Sequence, residues 1–329
     1  MPCLSDLEQI AAAFHKAEDA LVFGNGYMAC LGLVGCIAQG SDDVFVVDEL
    51  VHASCWDGRK MSRANTWVTF RHGDAEHMKE VLQNHVDKHR GEKRNFIVVI
   101  ESVYSMGGYG GSIRKVLDGC DEIAETYTGG DISVIVDEAH ACGIHGPYGE
   151  GKAVDLGLED HPRLLARVIT FGKGFGCYGA IVLGSNILKQ YLLNYARTLI
   201  YTTAPPVPVV AAMRAVYDFM KTEEADMLRK ELRANTTVLR SLIPDKLMAG
   251  DDGPVQAVIV RGNELCVKVA SMLQRKGFAV SAIRSPTVPR NEERIRIIVH
   301  AFNDSNEIQQ LVLELRKVSQ TFPLRRACL

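Results

Sequence analysis

A lysine and an aspartate, distant in the chain, have the surroundings that cofactor chemistry requires. Lys173 lies between Gly172 and Gly174, after an apolar β-branched run. An amine with small neighbours can form a Schiff base with an aldehyde cofactor and can later act as a base. Asp137 ends a second apolar run, 134–136, and a carboxylate there can keep a pyridinium nitrogen protonated, which makes the ring an electron sink. Together the two patterns predict a pyridoxal phosphate (PLP) site.

The start of a helix supplies a third part of such a site. Asn25, Gly26 and Tyr27 follow a short apolar strand and begin an apolar helix. The first N–H groups of a helix lack partners within it, so they bind phosphate well. The same stretch also resembles a dinucleotide-binding pattern, with Asp48 about 20 residues further on. An NAD-binding oxidoreductase is therefore an alternative, although the pattern lacks its third glycine and leaves the lysine and the aspartate unexplained.

Composition narrows the class of protein. The 37 basic and 40 acidic residues are mixed along the chain, so nothing predicts a nucleic-acid partner or a membrane surface. The nine cysteines include no C-x-x-C pair, which is typical of a reducing compartment and argues against a metal centre. The chain begins with no signal-peptide pattern, and no apolar run reaches the length of a membrane span. We expect a cytoplasmic protein, with peroxisomal and mitochondrial locations left open.

Strands and helices alternate around these residues. Apolar strand-like runs at 44–47, 66–70 and 96–100 are each followed or preceded by helical stretches. Nearly continuous apolar strands separated by helices are typical of an α/β fold with a mostly parallel sheet between helices. The carboxyl ends of such strands meet at one edge, where open α/β sheets bind their ligands. Both the strand that ends at Asp137 and the strand before Lys173 should reach that edge.

The chain changes character near Lys221. A polar helix at about 225–242 leads into a smaller set of strands and helices, which ends in a helix from Asp304. A chain of this length is expected to form two domains. We predict a large PLP-binding domain over 1–222 and a small C-terminal α/β domain over 223–329.

Seven short segments, in this order, resemble one enzyme family. They are Gly-Tyr-Met-Ala at 26–29, His-Ala-Ser at 52–54, Glu-Ser-Val-Tyr-Ser-Met at 101–106, Asp-Glu-Ala-His at 137–140, Thr-Phe-Gly-Lys-Gly-Phe-Gly at 170–176, Tyr-Thr-Thr-Ala-Pro-Pro at 201–206, and Pro-Thr-Val-Pro at 286–289 followed by Arg294 and Arg296. The chain resembles the α-oxoamine synthases, which are fold-type-I PLP enzymes of the class-II aminotransferase family. The resemblance covers nearly the whole chain and is strongest to the 8-amino-7-oxononanoate synthases.

The resemblance implies roles for the residues around the cofactor. Lys173 would carry the cofactor, Asp137 would face its ring nitrogen, and His140 would hydrogen-bond its phenolic oxygen. His52 would stack on the face of the pyridine ring. Further cofactor contacts are implied for Asn25, Gly26, Tyr27, Ser105, Thr170, Thr202 and Thr203. The last two would reach the phosphate in the neighbouring subunit, which predicts a homodimer with shared active sites.

The resemblance also implies the substrates, an amino acid and an acyl-CoA that condense with loss of carbon dioxide. Arg296 would clamp the amino-acid carboxylate, Arg284 would meet the distal carboxylate of a pimeloyl chain, and Glu101 would line the substrate side. L-alanine and pimeloyl-CoA, which give 8-amino-7-oxononanoate for biotin biosynthesis, are the predicted pair. Glycine C-acetyltransferase, 5-aminolevulinate synthase and serine palmitoyltransferase-like activities are the alternatives within the family.

The sequence departs from the family in two places. Gly107 follows Met106 where the family generally has aspartate, so the shape of that loop is open. The family segment that precedes the first helix, with its glycine-rich loop, is expected to be missing here. A catalytically weak partner subunit of a hetero-oligomer is therefore a further hypothesis, although such subunits typically lose the lysine and Lys173 is retained.

Overall fold

The structure, a computed structural model, describes residues 2–321 apart from the side chains at 246 and 319–321. The chain forms two compact units, and each is described by itself. The first comprises the residues up to Val103 and Gly111–Thr222, and the second comprises Tyr104–Gly110 and the residues from Glu223 onward. The two domains predicted at 1–222 and 223–329 stay a prediction. Within residues 2–321, no helix combines the length and the apolar character needed to span a membrane.

The first unit alternates strands and helices along the chain. Its strands are β1 (Asp19–Phe23), β2 (Val44–Asp48), β3 (Thr66–Phe70), β4 (Phe96–Glu101), β5 (Ile132–Asp137), β6 (Leu164–Thr170) and β7 (Ala180–Gly184). Its helices are α1 (Pro2–Phe14), α2 (Gly26–Ile37), α3 (Ala53–Arg59), α4 (Ala75–Lys88), α5 (Ile113–Ala124), α6 (Lys152–Asp155), α7 (Asn186–Tyr195), α8 (Arg197–Ile200) and α9 (Val207–Met220).

The seven strands form one mixed sheet in the order β1-β7-β6-β5-β4-β2-β3. Strands β2 to β6 pair in parallel, whereas β7 runs antiparallel to both of its neighbours. Every residue of β2 and β4 is buried. Because side chains alternate between the faces of a sheet, burial at every position means that both faces are covered. The predicted α/β fold, with a mostly parallel sheet between helices, is confirmed.

Four helices of the first unit, α6 to α9, were not predicted. Helix α9 begins after Pro206 and has a further proline in its first turn. Proline is tolerated there because the first N–H groups of a helix need no partner within it. The same explanation covers α1, which begins at Pro2.

The second unit is a four-stranded antiparallel sheet with helices. Its elements are α10 (Glu223–Leu242), a 3-10 helix (Asp245–Leu247), β8 (Met248–Ala249), β9 (Val255–Ile259), α11 (Asn263–Gln274), β10 (Ser281–Ile283), β11 (Arg294–Ile298) and α12 (Ser305–Thr321). The strand order is β10-β11-β9-β8. Buried side chains of β9, β11 and the three α-helices form one core, which includes Leu239, Val269, Ile295 and Leu311.

The loop at 104–110 joins this second unit through a glycine. Gly108 has φ +68°, and a Cβ at this position would overlap the carbonyl oxygen of Val255. Only glycine combines a positive φ with such a close approach of two backbones. The shape of the loop that the sequence left open, from Met106 to Gly108, therefore depends on its second glycine.

Candidate active site

Four neighbouring strands of the first unit end in polar side chains. Asp48 ends β2, Glu101 ends β4, Asp137 ends β5 and Thr170 ends β6. These strands run parallel, so their carboxyl ends lie at one edge of the sheet. That edge is where open α/β sheets bind ligands. The three acids are buried, which makes this edge the candidate site.

Lys173 lies in a hairpin between β6 and β7. The hairpin is closed by the strand pair Thr170 and Ala180, and Gly176 N donates to Lys173 O at 2.9 Å. The lysine side chain itself is exposed. The strand ends therefore hold the backbone at position 173, while the amine keeps its own rotamer freedom.

The glycines around Lys173 have different structural reasons. A Cβ on Gly174 would overlap the carbonyl oxygen of Cys142, in the turn that follows β5. Gly176 has φ +62°, whereas a Cβ on Gly172 would have its nearest neighbour at 3.8 Å. Gly174 therefore lets the lysine hairpin lie against the turn after Asp137. The sequence predicts a role for Gly172 and Gly174 in cofactor access but does not predict this contact.

His52 lies within electrostatic reach of both Asp137 and Lys173. It is the N-cap residue of α3, where its Nδ1 accepts a hydrogen bond from Ser54 N at 3.2 Å. Partial desolvation lowers the pKa of His52, the Asp137 carboxylate opposes this shift, and the Lys173 ammonium adds to it. The net effect favours the neutral imidazole. A neutral flat ring suits stacking on a cofactor ring.

Two donors hold the Asp137 carboxylate. Ala139 N donates to Oδ1 at 2.9 Å, and the Cys30 thiol donates to Oδ2 at 3.4 Å. A hydrogen bond with Cys55, burial and the Asp137 charge together raise the pKa of Cys30 well above its usual value. The thiol therefore stays protonated and remains a donor. No role was predicted for Cys30, although its position one turn after Gly26 could have marked it.

The start of α2 lies against the end of β6. Asn25 caps this helix by accepting a hydrogen bond from Met28 N at 3.0 Å. A Cβ on Gly26 would lie 2.5 Å from Thr170 Oγ1, so glycine is needed for this approach. The first N–H groups of α2 are thus presented beside the strand end that precedes the lysine hairpin, where they can bind an anion.

Tyr27 and His140 extend the group. The Tyr27 ring lies edge-to-face with the His52 ring, with 6.4 Å between centroids, and its hydroxyl hydrogen-bonds the Asp57 carboxylate. That hydrogen bond raises the pKa of Tyr27. His140 is half-buried in the turn that follows Asp137. Both residues therefore lie beside the strand ends, Tyr27 on α2 and His140 in the turn after β5.

The remaining predicted residues belong to other segments of the chain. Thr202 and Thr203 follow α8 and are exposed. Ser105, Arg284 and Arg296 belong to the second unit, where Ser105 is half-buried and Arg284 is exposed. Burial lowers the pKa of the half-buried Arg296, whose Nε atom is buried with no hydrogen-bond partner in the part of the chain that the structure describes.

Asp48, which the dinucleotide alternative requires, already has hydrogen-bond partners within the protein. It is fully buried, accepts hydrogen bonds from Leu50 N and Gly73 N, both at 2.8 Å, and pairs with His72 Nδ1 at 3.0 Å. Although burial raises the pKa of Asp48, the His72 hydrogen bond and charge hold it below its usual value. A carboxylate with these partners has no room for a ribose. The site thus disfavours a dinucleotide.

The strand-end group fits the PLP that the sequence predicts. An aldehyde would find the amine of Lys173, a protonated ring nitrogen would find the carboxylate of Asp137, and a flat ring would find the neutral imidazole of His52. A phosphate would find the N–H groups at the start of α2. The close approach that Gly26 allows keeps that helix end next to the other three groups.

Comparisons with known proteins agree with this chemistry. The family model for aminotransferase class I and II matches residues 1–315. The chain is 36% identical over 317 residues to an 8-amino-7-oxononanoate synthase of Emericella nidulans, covering 93% of this chain and 75% of that protein. This relative is therefore longer than the region it shares with the chain.

Solved structures with the same fold include two enzymes of related chemistry. A serine palmitoyltransferase of S. paucimobilis, bound to PLP and myriocin, superposes with a TM-score of 0.86 and 25% identity, covering 99% of this chain and 78% of that one. An 8-amino-7-oxononanoate synthase of Francisella tularensis superposes with a TM-score of 0.79 and 26% identity, covering 98% and 88%. With the family model matched over most of its length, the chain belongs to the aminotransferase class I and II family, as an α-oxoamine synthase.

Proposed function

We propose that this chain is a PLP-dependent C-acyltransferase that condenses L-alanine with pimeloyl-CoA. The products are 8-amino-7-oxononanoate, free CoA and carbon dioxide, and the reaction belongs to biotin biosynthesis. The observation that carries the proposal is the convergence of Lys173, Asp137 and His52 at the strand ends, where the charges of the first two act on the third. The substrate pair is supported by the names of the relatives.

Each residue of the strand-end group has a task in this reaction. Bound PLP supplies an aldehyde that links to amines and a ring that accepts the electron pair released from the amino-acid Cα. Lys173 would provide the amine for that aldehyde and, when not linked to it, could act as the base at the amino-acid Cα. Asp137 would hold a proton on the ring nitrogen through its opposite charge. The hydrogen bonds from Ala139 N and the Cys30 thiol fix the orientation of the Asp137 carboxylate.

Other residues bind and orient the cofactor. His52 would stack on the ring, and its neutral form would avoid a second positive charge beside Lys173. His140 would donate to the phenolic oxygen, and the start of α2, at Gly26 and Tyr27, would bind the phosphate together with Thr170. The Nε of Arg296 is buried without a hydrogen-bond partner among the described residues, and a buried donor without a partner is costly. This supports Arg296 as the ligand of the amino-acid carboxylate.

The assembly in this proposal is a homodimer. Thr202 and Thr203 are exposed in a single chain, next to the exposed apolar side chains of Ile200 and Tyr201. Apolar side chains of this size at a surface favour a protein interface. We propose that the two threonines bind the cofactor phosphate of the neighbouring subunit. A cytoplasmic location, and Ser105 as a cofactor contact, complete the proposal.

The first experiment is a spectroscopic titration with PLP. The purified protein should gain a visible absorbance band that differs from that of free PLP and that Lys173→Ala removes. Lys16→Ala, at an exposed lysine of the same unit, is the control and should keep the band. A wild-type protein without the band would reject the proposal.

The second experiment assigns the substrates. CoA release should be fastest with L-alanine and slower with glycine or L-serine when pimeloyl-CoA is the acyl donor. Arg284→Ala should raise the KM for pimeloyl-CoA about tenfold and leave that for a monocarboxylic acyl-CoA unchanged, as expected when one charge-assisted contact is lost. Equal effects on both donors would remove Arg284 from the proposal, and a protein that binds PLP without turnover would support the partner-subunit hypothesis instead.

A further inference from the structure

Glu101 and Asp137 place two carboxyl groups side by side at the sheet edge. They occupy the same register on the neighbouring parallel strands β4 and β5, so their side chains lie on the same side of the sheet. They are only 4% and 8% exposed. Two carboxylates this close in a buried place do not both ionise readily.

The groups that face Glu101 come from four elements. Asp137 lies on β5, Asp48 on β2 and Lys173 in the β6–β7 hairpin, and the backbone N–H of His52, at the start of α3, hydrogen-bonds the Glu101 carboxyl. Burial raises the pKa of Glu101 well above its usual value, and the Asp137 charge acts in the same direction. Lys173 and the His52 hydrogen bond oppose this shift without cancelling it.

We propose that Glu101 is a positioning residue, kept protonated, whose carboxyl fixes the start of α3 and thereby the ring of His52. Because Glu101 is neutral, Asp137 is the carboxylate that pairs with the ring nitrogen of the cofactor. This inference rests on the proposed function and assigns Glu101 an action through His52, not through contact with the substrate.

The hydrogen bonds of His52 explain why this position matters. Its ring is tied to Ser54 through Nδ1, with Ser54 N at 3.2 Å and Ser54 Oγ at 2.8 Å. Its backbone N–H is tied to Glu101. Because His52 is held at both its backbone and its ring, its ring has one orientation. The ring therefore loses little conformational freedom when a cofactor binds.

Three variants separate charge from hydrogen bonding. Glu101→Gln keeps a neutral acceptor of the same shape, whereas Glu101→Leu keeps the volume and removes the acceptor. Glu49→Gln, which neutralises an exposed carboxylate just after β2, is the matched control. The probe is PLP alone, titrated by visible absorbance.

The PLP dissociation constant should rank the variants. Glu101→Gln and Glu49→Gln should stay within about threefold of the wild type, whereas Glu101→Leu should bind at least about tenfold more weakly, the scale of one lost hydrogen bond in a buried place. The imidazole NMR signal of His52, assigned with His52→Gln, should shift in Glu101→Leu and not in Glu101→Gln. Equal weakening by Gln and Leu would show that a negative charge is required, and wild-type affinity in Glu101→Leu would show no positioning. Either result overturns the inference.

Thermal unfolding without PLP tests the protonation separately. The folded chain holds a proton on Glu101 that the unfolded chain releases above the ordinary glutamate pKa, so stability should fall as pH rises from about 5 towards 8. Glu101→Gln removes this pH dependence. The melting temperature of the variant minus that of the wild type should therefore increase by several degrees as the pH rises across that range. A constant difference would overturn the inference. Because no PLP is present, this result stands even if the wild type fails to bind PLP, which would reject the proposed function alone. Should Glu101→Leu fail to fold, the Gln variant still decides the matter.

Discussion

The Cys30 sulfur lies 3.4 Å from Asp137 Oδ2 and donates its proton to that oxygen. The thiol is 3% exposed and lies on α2, while the carboxylate ends β5. With Ala139 N on the other oxygen, both carboxylate oxygens have a donor. A helix that begins at the predicted phosphate site thus also orients the acid that we propose to face the ring nitrogen.

Cys30→Ala should weaken PLP binding about three- to tenfold, since it removes one modest hydrogen bond from Asp137. Cys30→Ser keeps a donor and should bind within about twofold of the wild type. Cys120→Ala, at another fully buried cysteine on α5, is the control and should lower stability without changing the dissociation constant. If Cys30→Ala and Cys30→Ser both bound PLP weakly and to the same extent, the packing of Cys30 would matter and its hydrogen bond to Asp137 would not.

Gly174→Ala should lose PLP binding, because its Cβ would overlap the Cys142 carbonyl oxygen and push the lysine hairpin away from the turn after β5. Gly172→Ala is the matched control, since its Cβ would have its nearest neighbour at 3.8 Å, and it should bind normally. Absorbance titration and the melting temperature give both results. Normal binding by Gly174→Ala would contradict the tight contact.

His15 should make the protein less stable in acid. It is fully buried, with Nδ1 2.6 Å from Glu150 O and Nε2 3.1 Å from Tyr217 Oη. Burial, helped by the charge of Arg167, lowers the pKa of His15 to about 3. The unfolded chain protonates this ring below about pH 6.5 and the folded chain does not, so stability falls as pH drops from about 6.5 towards 3.

The expected loss from His15 is about 2 kcal/mol between pH 7 and pH 5, because one pKa unit corresponds to about 1.4 kcal/mol. Urea unfolding at the two pH values measures it. His15→Gln should be less stable at pH 7 but should lack this part of the acid loss. An unchanged difference between pH 7 and pH 5 in the Gln variant would assign the loss to other groups.

Mixed dimers should restore a site that neither parent has. In the proposed homodimer, Lys173→Ala chains keep their threonines, and chains with Thr202→Ala and Thr203→Ala keep their lysine. A mixed dimer therefore contains one intact site and one site with both defects. Co-expression should yield the visible PLP band that each homodimer lacks or shows weakly, and mass measurement should give two chains. No gain on mixing would place the threonines in the site of their own chain.

The residues at the strand ends could be predicted because their signal is local. Asp137 and Thr170 each end a run of apolar β-branched residues. Such a run predicts a buried strand and the position of its end to within a few residues. The hydrogen bonds of Cys30 and the pairing of Asp48 with His72 could not be predicted, because each joins elements far apart in sequence. The dinucleotide-like pattern at 24–29 stayed an alternative for the same reason, since the partners of Asp48, which add to the case against it, are far away in the sequence.

The loop at 104–110 shows the same limit. It lies between β4 and α5 of the first unit, yet it belongs to the second, where the N–H of Gly110 hydrogen-bonds the Asp251 carboxylate. Adjacent glycines at 107 and 108 predict an unusual turn but not the backbone of Val255 against which Gly108 packs. Contacts between two distant backbone segments leave no periodic pattern in the sequence from which they could be predicted.

The hairpin that carries Lys173 is anchored by the pairing of its second strand. Strand β7 is bonded on both sides, to β6 and to β1, with Thr170 opposite Ala180 and Phe23 opposite the same alanine. One residue inserted within β7 would move the rest of that strand out of phase and exchange the side chains on its two faces, both of which are buried. Designers who wish to relocate the amine therefore have to redesign the connection at 171–179 and leave β7 unchanged, since a loop accommodates a new length and a strand paired on both sides does not.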